Sequence, residues 1–248
     1  MHSPQRIQKT VVITGASSGI GLALAEAYLE RGFNVVGNAR TEQRLQAAAE
    51  HLGNPARFIG VAGDIGEAAT AKRLFQRAVE QFGQVDVLIN NAGIFIAKPI
   101  GDYTEQDLDS LIATNLKGFF FASQAAAAHM APYKSGHIVN ITASIALQPN
   151  RQVPALLPVL IKGGINQATR ALALELSPHN IMVSAVAPGI VDTPMHGPDA
   201  QDFLRGLQPV GRIAKTAEIV EAVLYLSGAT FTTGVVLPVD GGMSAGKW

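Results

Sequence analysis

The chain contains no cysteine, carries no net charge and has no long apolar run. Without cysteine, disulfides, thiol nucleophiles and thiolate metal ligands are excluded. Basic and acidic residues both number 19, so we expect no surface that attracts nucleic acid or an anionic membrane. No apolar run reaches the roughly 18 residues that a membrane span needs. No spacing of histidine and acidic residues suggests a metal site, and no His–Ser–Asp spacing suggests a hydrolase.

The N-terminal residues and the overall composition predict the location of the protein and its number of domains. Residues 1–6 lack the apolar core of a signal peptide, so the expected location is cytoplasmic. No linker composition, low-complexity stretch or repeat divides the 248 residues. We therefore predict a single domain spanning residues 1–248.

Short β-branched runs alternate with longer helical patterns along the whole chain. Strands are predicted at residues 10–14, 34–37, 57–61, 85–89, 137–141, 182–187 and 235–239. Helices are predicted at residues 19–31, 41–52, 67–82, 104–133 with a break near Gly118, 158–176 and 216–227. This alternation predicts an α/β fold: one doubly wound parallel sheet of about seven strands with helices on both faces.

A glycine-rich loop joins the first predicted strand to the first helix. Its sequence is Thr-Gly-Ala-Ser-Ser-Gly-Ile-Gly, residues 14–21. Glycines permit a tight turn and let backbone N–H groups approach a pyrophosphate, while the helix N-terminus supplies partial positive charge. The position between a strand and a helix makes a dinucleotide site the favoured interpretation over a turn without a ligand.

Further motifs follow in a fixed order. They are Gly63-Asp64-Ile65, Asn90-Asn91-Ala92-Gly93, Asn115 in Thr-Asn-Leu-Lys-Gly, Lys162-Gly163-Gly164, Pro188-Gly189 with Thr193, and Asp240-Gly241-Gly242. Together with the glycine loop, they resemble the short-chain dehydrogenase/reductase family over almost the full length. The resemblance implies a Rossmann-like domain, a nicotinamide cofactor, a small-molecule substrate and assembly as a homotetramer or homodimer.

The same resemblance implies the residues that contact the cofactor. Asp64 and Ile65 would flank the adenine, and Thr193 would hydrogen-bond the carboxamide. Asn90, Ala92 and Gly93 would line the crevice behind the cofactor. The full implied set is Gly15, Ser17, Ser18, Gly19, Ile20, Gly21, Asp64, Ile65, Asn91, Ala92, Gly93, Lys162, Pro188, Gly189, Val191 and Thr193.

The end of the second predicted strand bears on the choice between NADP(H) and NAD(H). A carboxylate there would bind the ribose 2′-OH of NAD and repel a 2′-phosphate. This chain has Ala39 and then Arg40, whose guanidinium suits a phosphate. NADP(H) is therefore predicted over NAD(H). The alternative is that Arg40 is only a solvated surface residue.

The catalytic set implied by the resemblance has one gap. Asn115, Ser144 and Lys162 match the family's asparagine, serine and lysine, with Thr142 as an alternative hydroxyl. Four residues before Lys162, where the family has its proton-donating tyrosine, stands Pro158. Ser144 lies 14 residues before Pro158, one more than is usual in the family. Proline has no proton to donate, so the chemistry needs another donor.

Several hypotheses remain open from the sequence. The donor could be Lys162, with its pKa lowered by apolar neighbours, His196, or water held by Ser144 and Asn115. Because residues 153–161 have no polar side chain, the substrate of an NADP(H)-dependent oxidoreductase would be a small, apolar carbonyl or alcohol. Reduction of a carbon–carbon double bond is also open. The alternatives are an NADP(H)-binding regulatory or partner subunit, and amine catalysis by Lys162.

Overall fold

A computed structural model describes residues 8–195 and 201–246 of the protein. These residues form a seven-stranded sheet, ordered β3-β2-β1-β4-β5-β6-β7, in which every neighbouring pair is parallel. The strands are β1 (Thr10–Thr14), β2 (Asn34–Ala39), β3 (Phe58–Ala62), β4 (Val87–Asn90), β5 (Gly136–Ile141), β6 (Ile181–Pro188) and β7 (Val236–Val239). The predicted doubly wound parallel sheet is confirmed.

Helices cover both faces of this sheet. They are α1 (Gly19–Glu30), α2 (Glu42–His51), α3 (Ala68–Phe82), α4 (Glu105–Leu111), α5 (Gly118–Met130), α6 (Leu156–Leu176), α7 (Gln201–Arg205) and α8 (Thr216–Gly228). The core packs α1, α2 and α8 against one face and α3, α5 and α6 against the other. Alternate residues of a strand point to opposite faces: Val11 and Ile13 join the first core layer and Val12 the second. No helix of the described part of the chain is long and apolar enough to cross a membrane.

Two element boundaries differ from prediction in ways that bear on the site. Helix α6 begins at Leu156 rather than Pro158, which makes Pro158 its third residue. The first four N–H groups of a helix have no intrahelical acceptor, so proline fits there without losing a hydrogen bond. The helix predicted at 104–133 is divided into α4, a π-helical segment (Ile112–Lys117) and α5.

Gly118 explains where α5 can begin. A Cβ at this position would lie 2.8 Å from Cγ2 of Ile65, closer than real contacts of this kind. Glycine therefore lets α5 pass directly over the segment that follows β3. The strand order reverses between β1 and β4, and ligands of such sheets bind at the carboxyl ends of the strands beside this reversal.

Candidate functional site

The loop after β1 has a backbone that glycine makes possible. Gly15 and Gly19 have φ of +67° and +54°, in the left-handed region that glycine adopts without cost. A Cβ on Gly21 would collide with the carbonyl oxygen of Gly15. The loop thus leaves a cradle without side chains at the start of α1, as a pyrophosphate requires.

The N-terminus of α1 is open to an anion. Ser18 is the N-cap residue in an extended conformation, and its side chain makes no capping hydrogen bond. Ser18 is exposed, Ser17 and Ile20 are half-buried, and the first turn of α1 carries no acidic residue. Unpaired N–H groups, the helix dipole and a free hydroxyl together favour a bound phosphate. The residues present therefore fit the predicted dinucleotide.

The glycine loop is held in place by side chains from two strand ends. The hydroxyl of Thr14 accepts hydrogen bonds from the backbone N–H of Asn91 and of Ala92, both at 3.0 Å. The side-chain amide of Asn91 donates to the carbonyl oxygens of Thr14 and Gly15, also at 3.0 Å. The side-chain amide of Asn91 thus supports the loop, and the contact of Asn91 with the cofactor stays a prediction. Thr14 was not predicted, because only the tertiary fold brings it beside Asn91.

The end of β2 presents the residues predicted to select the cofactor. Ala39 is buried and Arg40 is exposed. Among the described residues, Arg40 makes no hydrogen bond or ion pair, so its guanidinium is available to a ligand. Asp64 is exposed and accepts a 2.8 Å hydrogen bond from the backbone N–H of Gly66, while Ile65 is buried. Both residues follow the end of β3, and their contact with the adenine stays a prediction.

The loop after β6 meets the glycine loop. A Cβ on Gly19 would lie 3.3 Å from both Cβ and Cγ2 of Thr193. Pro188 and Val191 are buried, and Gly189 sits where a Cβ would lie 2.8 Å from Cα of Asp240. The structure thus brings the predicted β6 contacts and the predicted phosphate cradle to one place. His196 lies outside the described residues.

Polar atoms of Lys162 and Asn115 both approach Gly93. A Cβ on Gly93 would be 3.4 Å from both Oδ1 of Asn115 and Nζ of Lys162. Asn115 is buried in the π-helical segment, accepts from the backbone N–H of Ile94 at 2.8 Å and donates to the Ile94 carbonyl oxygen at 2.9 Å. These two bonds hold the side chain in place and leave its second N–H and the second lone pair of its oxygen for another partner.

The ammonium of Lys162 points inward from α6. It donates a 2.7 Å hydrogen bond to the carbonyl oxygen of Ile141, at the carboxyl end of β5. Although part of the side chain remains accessible, burial of the ammonium lowers its pKa from 10.5 to about 8. Desolvation disfavours the charged form, which is the physical cause of this shift.

A small chamber lies beside this ammonium. It has about 10 Å³ for the centre of a water molecule, enough for a single one. Its lining comprises Thr14, Asn90, Ala92, Asn115, Phe119, Asn140, Ile141, Lys162 and Ile165. The polar atoms around it make this a chamber for water or for one substrate atom, not for a whole ligand.

Beneath the chamber runs a buried polar network that was not predicted. The amide of Asn90 donates to the hydroxyl of Ser123 and to Oδ1 of Asn140, both at 2.9 Å. Asn140 in turn donates to the hydroxyl of Thr169 at 2.9 Å. The network ties β4 and β5 to α5 and α6, so it fixes the helix that carries Lys162. Oδ1 of Asn90 is buried and has no hydrogen-bond partner within the described part of the chain.

Ser144 is placed close to the end of β5 but is covered. It begins a 3-10 turn (Ser144–Ala146) and is 2% exposed. Its hydroxyl donates to the sulfur of Met243 across 3.8 Å. The alternative hydroxyl, Thr142, donates to the carbonyl oxygen of Val186 at 3.2 Å, so it is already engaged in the sheet.

No tyrosine takes the place vacated at Pro158. The hydroxyl of Tyr103 donates to the carbonyl oxygen of Ile96 at 2.8 Å. Tyr28 is buried between α1 and α8 and bonds Ser227. Tyr133 and Tyr225 are more than half exposed and lie in the 3-10 turn after α5 and in α8. Pro158 itself is buried in the first turn of α6. Among the described residues, no group of three or more histidine or acidic side chains could hold a metal ion.

A parallel sheet with a glycine loop at its strand reversal defines a Rossmann-type dinucleotide-binding protein. The short chain dehydrogenase family matches residues 9–203 of this chain. The chain is 36% identical over 242 residues to BbsD of Thauera aromatica, a (2S)-[(R)-hydroxy(phenyl)methyl]succinyl-CoA dehydrogenase subunit, covering 95% of this chain and 96% of the relative. It is 31% identical over 241 residues to the 3-oxoacyl-[acyl-carrier-protein] reductase FabG of Thermotoga maritima, covering 95% and 97%.

Solved structures that hold a nicotinamide cofactor also superpose closely on this fold. ElxO with NADP bound superposes with a TM-score of 0.91 at 26% identity, covering 97% of this chain and all of that one. A 3-ketoacyl-(acyl-carrier-protein) reductase from Brucella melitensis complexed with NADH gives a TM-score of 0.88 at 29% identity, covering 95% and 98%. The chain belongs to the short-chain dehydrogenase/reductase family, and its relatives support an oxidoreductase that uses a nicotinamide cofactor.

Proposed function

We propose that this protein is an NADP(H)-dependent oxidoreductase that transfers a hydride to or from a small, mostly apolar carbonyl or alcohol, with Lys162 as its proton donor. The observation that carries the proposal is the buried ammonium of Lys162, held 2.7 Å from the Ile141 carbonyl beside the chamber. The segment 153–161 that precedes Lys162 has only apolar side chains, of which Pro158 and Ile161 are buried in α6, which favours an apolar substrate.

The preference for NADP(H) rests on the end of β2. Ala39 offers no carboxylate to a ribose 2′-OH, and the exposed guanidinium of Arg40 is free to pair with a 2′-phosphate. One structural relative holds NADP and another holds NADH. The preference for NADP(H) over NAD(H) therefore rests on the residues at the end of β2 in this chain. Ser18 and the N–H groups of the glycine loop would hold the pyrophosphate.

The nicotinamide, when bound, supplies or accepts the hydride. In the reductive direction, the ammonium of Lys162 gives a proton to the substrate oxygen and becomes a neutral amine, which water then reprotonates. A pKa near 8 keeps the ammonium protonated at neutral pH while making the proton easier to release than from an ordinary lysine. Ser144 would orient the substrate oxygen by donating a hydrogen bond.

The test is oxidation of NADPH with a panel of ketones, imines and activated alkenes. Lys162→Arg keeps the positive charge but cannot release its proton, so turnover should fall by about 10²- to 10⁴-fold. Binding of NADPH, followed by its fluorescence, shows whether the site survives the change. The matched control is Lys72→Arg on the exposed face of α3. His196→Ala tests the second candidate donor.

Two results would decide against Lys162 as the donor. One is unchanged turnover in Lys162→Arg with turnover lost in His196→Ala. The other is a rate that does not decline as the pH rises through about 8, since deprotonation of the ammonium removes the acid. Activity that appears only in Pro158→Tyr would show a reductase scaffold that lacks its acid.

A second candidate function is an NADP(H)-binding partner subunit without turnover. The covering of Ser144 by Met243 and the proline at position 158 favour it, and the relative BbsD is itself named as a dehydrogenase subunit. This candidate predicts tight NADPH binding with no hydride exchange on any panel compound. Turnover abolished by Lys162→Arg would refute it.

An exposed apolar face suggests how copies of the chain assemble. Large apolar side chains are exposed on neighbouring elements: Leu108, Leu116, Phe120, Leu156, Leu160 and Leu174. A second copy of the chain would cover such a face, which supports a homodimer or homotetramer. Sedimentation velocity of the wild type and of Leu160→Glu would test this, because a buried charge should shift the protein towards monomer.

We also propose that the protein is cytoplasmic, which cell fractionation would test.

A further inference from the structure

The side chain of Met243 covers the hydroxyl of Ser144. Ser144 lies at the start of the 3-10 turn after β5, and Met243 lies in the tail after β7, 99 residues further along the chain. Ser144 is only 2% exposed, whereas Met243 keeps part of its surface accessible. The methionine therefore stands between Ser144 and solvent.

The hydrogen bond from the Ser144 hydroxyl to the Met243 sulfur is weak for a buried hydroxyl. A thioether sulfur is a poor hydrogen-bond acceptor, and the oxygen–sulfur distance is 3.8 Å. A carbonyl oxygen is a better acceptor, and an oxygen with developing negative charge is better still. A substrate oxygen that replaced the sulfur would therefore strengthen the hydrogen bond from Ser144, and little would be lost when the thioether moved.

Backbone hydrogen bonds hold the tail on both sides of Met243. The carboxylate of Asp240 accepts from the backbone N–H of Gly242 at 3.0 Å and of Ser244 at 2.9 Å. The carbonyl oxygen of Asp240 accepts from the N–H of Met243 at 3.1 Å. This turn fixes the Cα of Met243, and the unbranched side chain beyond it can change rotamer.

A buried glutamine connects the tail to the loop that faces the glycine cradle. Gln208 is 2% exposed. Its amide accepts from the N–H of Ile190 and donates to the carbonyl oxygens of Ile190 and Arg212. Two residues later, the N–H of Val210 donates to the carbonyl oxygen of Gly241 at 3.2 Å. The tail that carries Met243 and the loop after β6 are thus parts of one hydrogen-bonded unit.

We propose that Met243 determines substrate specificity: its thioether occupies the place of the substrate oxygen at Ser144, and it swings aside to become an apolar wall of the pocket when a ketone binds. The proposal rests on the oxidoreductase function proposed above, in which Ser144 orients the substrate oxygen. Substrates with a carbonyl and a compact apolar body fit a pocket whose movable wall is a methionine.

The direct test uses three ketones of increasing size: cyclohexanone, acetophenone and 2-decalone. Met243→Ala removes the wall, so kcat/KM for 2-decalone relative to cyclohexanone should rise by about tenfold or more, mainly through KM. Met243→Leu keeps the bulk and should leave this ratio within about threefold of wild type. Met182→Leu in β6 is the control. A ratio unchanged in Met243→Ala would overturn the proposal.

A second readout does not depend on turnover. With methionine methyl groups labelled by ¹³C and NADP⁺ present, the Met243 resonance, assigned through Met243→Leu, should shift when a ketone is added. The resonance of Met130, which is fully buried at the C-terminal end of α5, should not move. No shift of Met243 with any of the three ketones would overturn the proposal.

The two readouts separate this inference from the proposed function. Turnover of a ketone with no response at Met243 would refute the role of Met243 and leave the oxidoreductase intact. A shift of the Met243 resonance with no turnover would support the ketone pocket and favour the non-catalytic candidate. The absence of both with all three ketones would overturn the role of Met243, and the wider panel of imines and activated alkenes would then decide the oxidoreductase function.

Discussion

Replacing Lys162 with methionine should change how the stability of the protein depends on pH. Methionine has a similar length and no charge, so it fills the same space without a buried ammonium. In the folded protein, burial lowers the pKa of Lys162 from 10.5 to about 8. The unfolded chain therefore binds this proton more tightly than the folded protein does.

The sign and the size of the effect follow from linkage. The stabilising contribution is fully present above pH 10.5 and is lost as the pH falls through about 8. The whole difference corresponds to roughly 3 kcal/mol, of which about 2 kcal/mol is expressed between about pH 7 and about pH 9.5. Wild type should gain this amount relative to Lys162→Met over that interval.

The assay is urea unfolding of both proteins at the two pH values. Loss of the hydrogen bond to the Ile141 carbonyl lowers the stability of the variant by a similar amount at both, so it cancels in the double difference. Lys72→Met, on the exposed face of α3, controls for removal of a lysine charge. A double difference below about 0.5 kcal/mol would refute burial of the ammonium as the cause.

Three further changes have defined outcomes. Arg40→Ala should weaken binding of NADPH by roughly tenfold with little effect on NADH, measured by nicotinamide fluorescence; equal losses for both would contradict a 2′-phosphate contact. Thr14→Val leaves the N–H groups of Asn91 and Ala92 without their shared acceptor, so the free energy of unfolding should fall by about 2–4 kcal/mol, with Thr14→Ser near wild type in the same urea titration. Gln208→Leu should loosen the tail, seen as faster hydrogen exchange at residues 240–244; unchanged exchange there would show that Gln208 does not hold it.

The sheet and its order of elements were predictable because their signals are local. Runs such as Thr10–Thr14 and Ile181–Pro188 are β-branched and apolar, and the alternation with helices restricts the topology to a doubly wound sheet. The residues at which helices begin and end were less predictable. The sequence predicts that α6 begins at Pro158, yet any of the first three helical positions tolerates proline, so no signal in the sequence chooses among them.

Roles of individual side chains were harder to predict. Asn91 belongs to a recognisable motif, but its amide is used to hold the backbone of Thr14 and Gly15. Asn115 is likewise paired with Ile94. Both are polar residues at a strand end or in a helix, and the sequence alone does not say whether such an amide faces a ligand or the protein.

The sequence by itself determined the class of fold, the glycine cradle and the absence of a tyrosine four residues before Lys162, since these depend on residue type and spacing. Only the tertiary structure placed Met243 over Ser144 across 99 residues and joined Gln208 to the loop after β6. It also enclosed the ammonium of Lys162 beside the Ile141 carbonyl. Strand ends and loops that are distant in sequence meet at the carboxyl edge of a parallel sheet. Burial at that edge determines the pKa of Lys162, the exposure of Ser144 and the hydrogen-bond partners of both side chains.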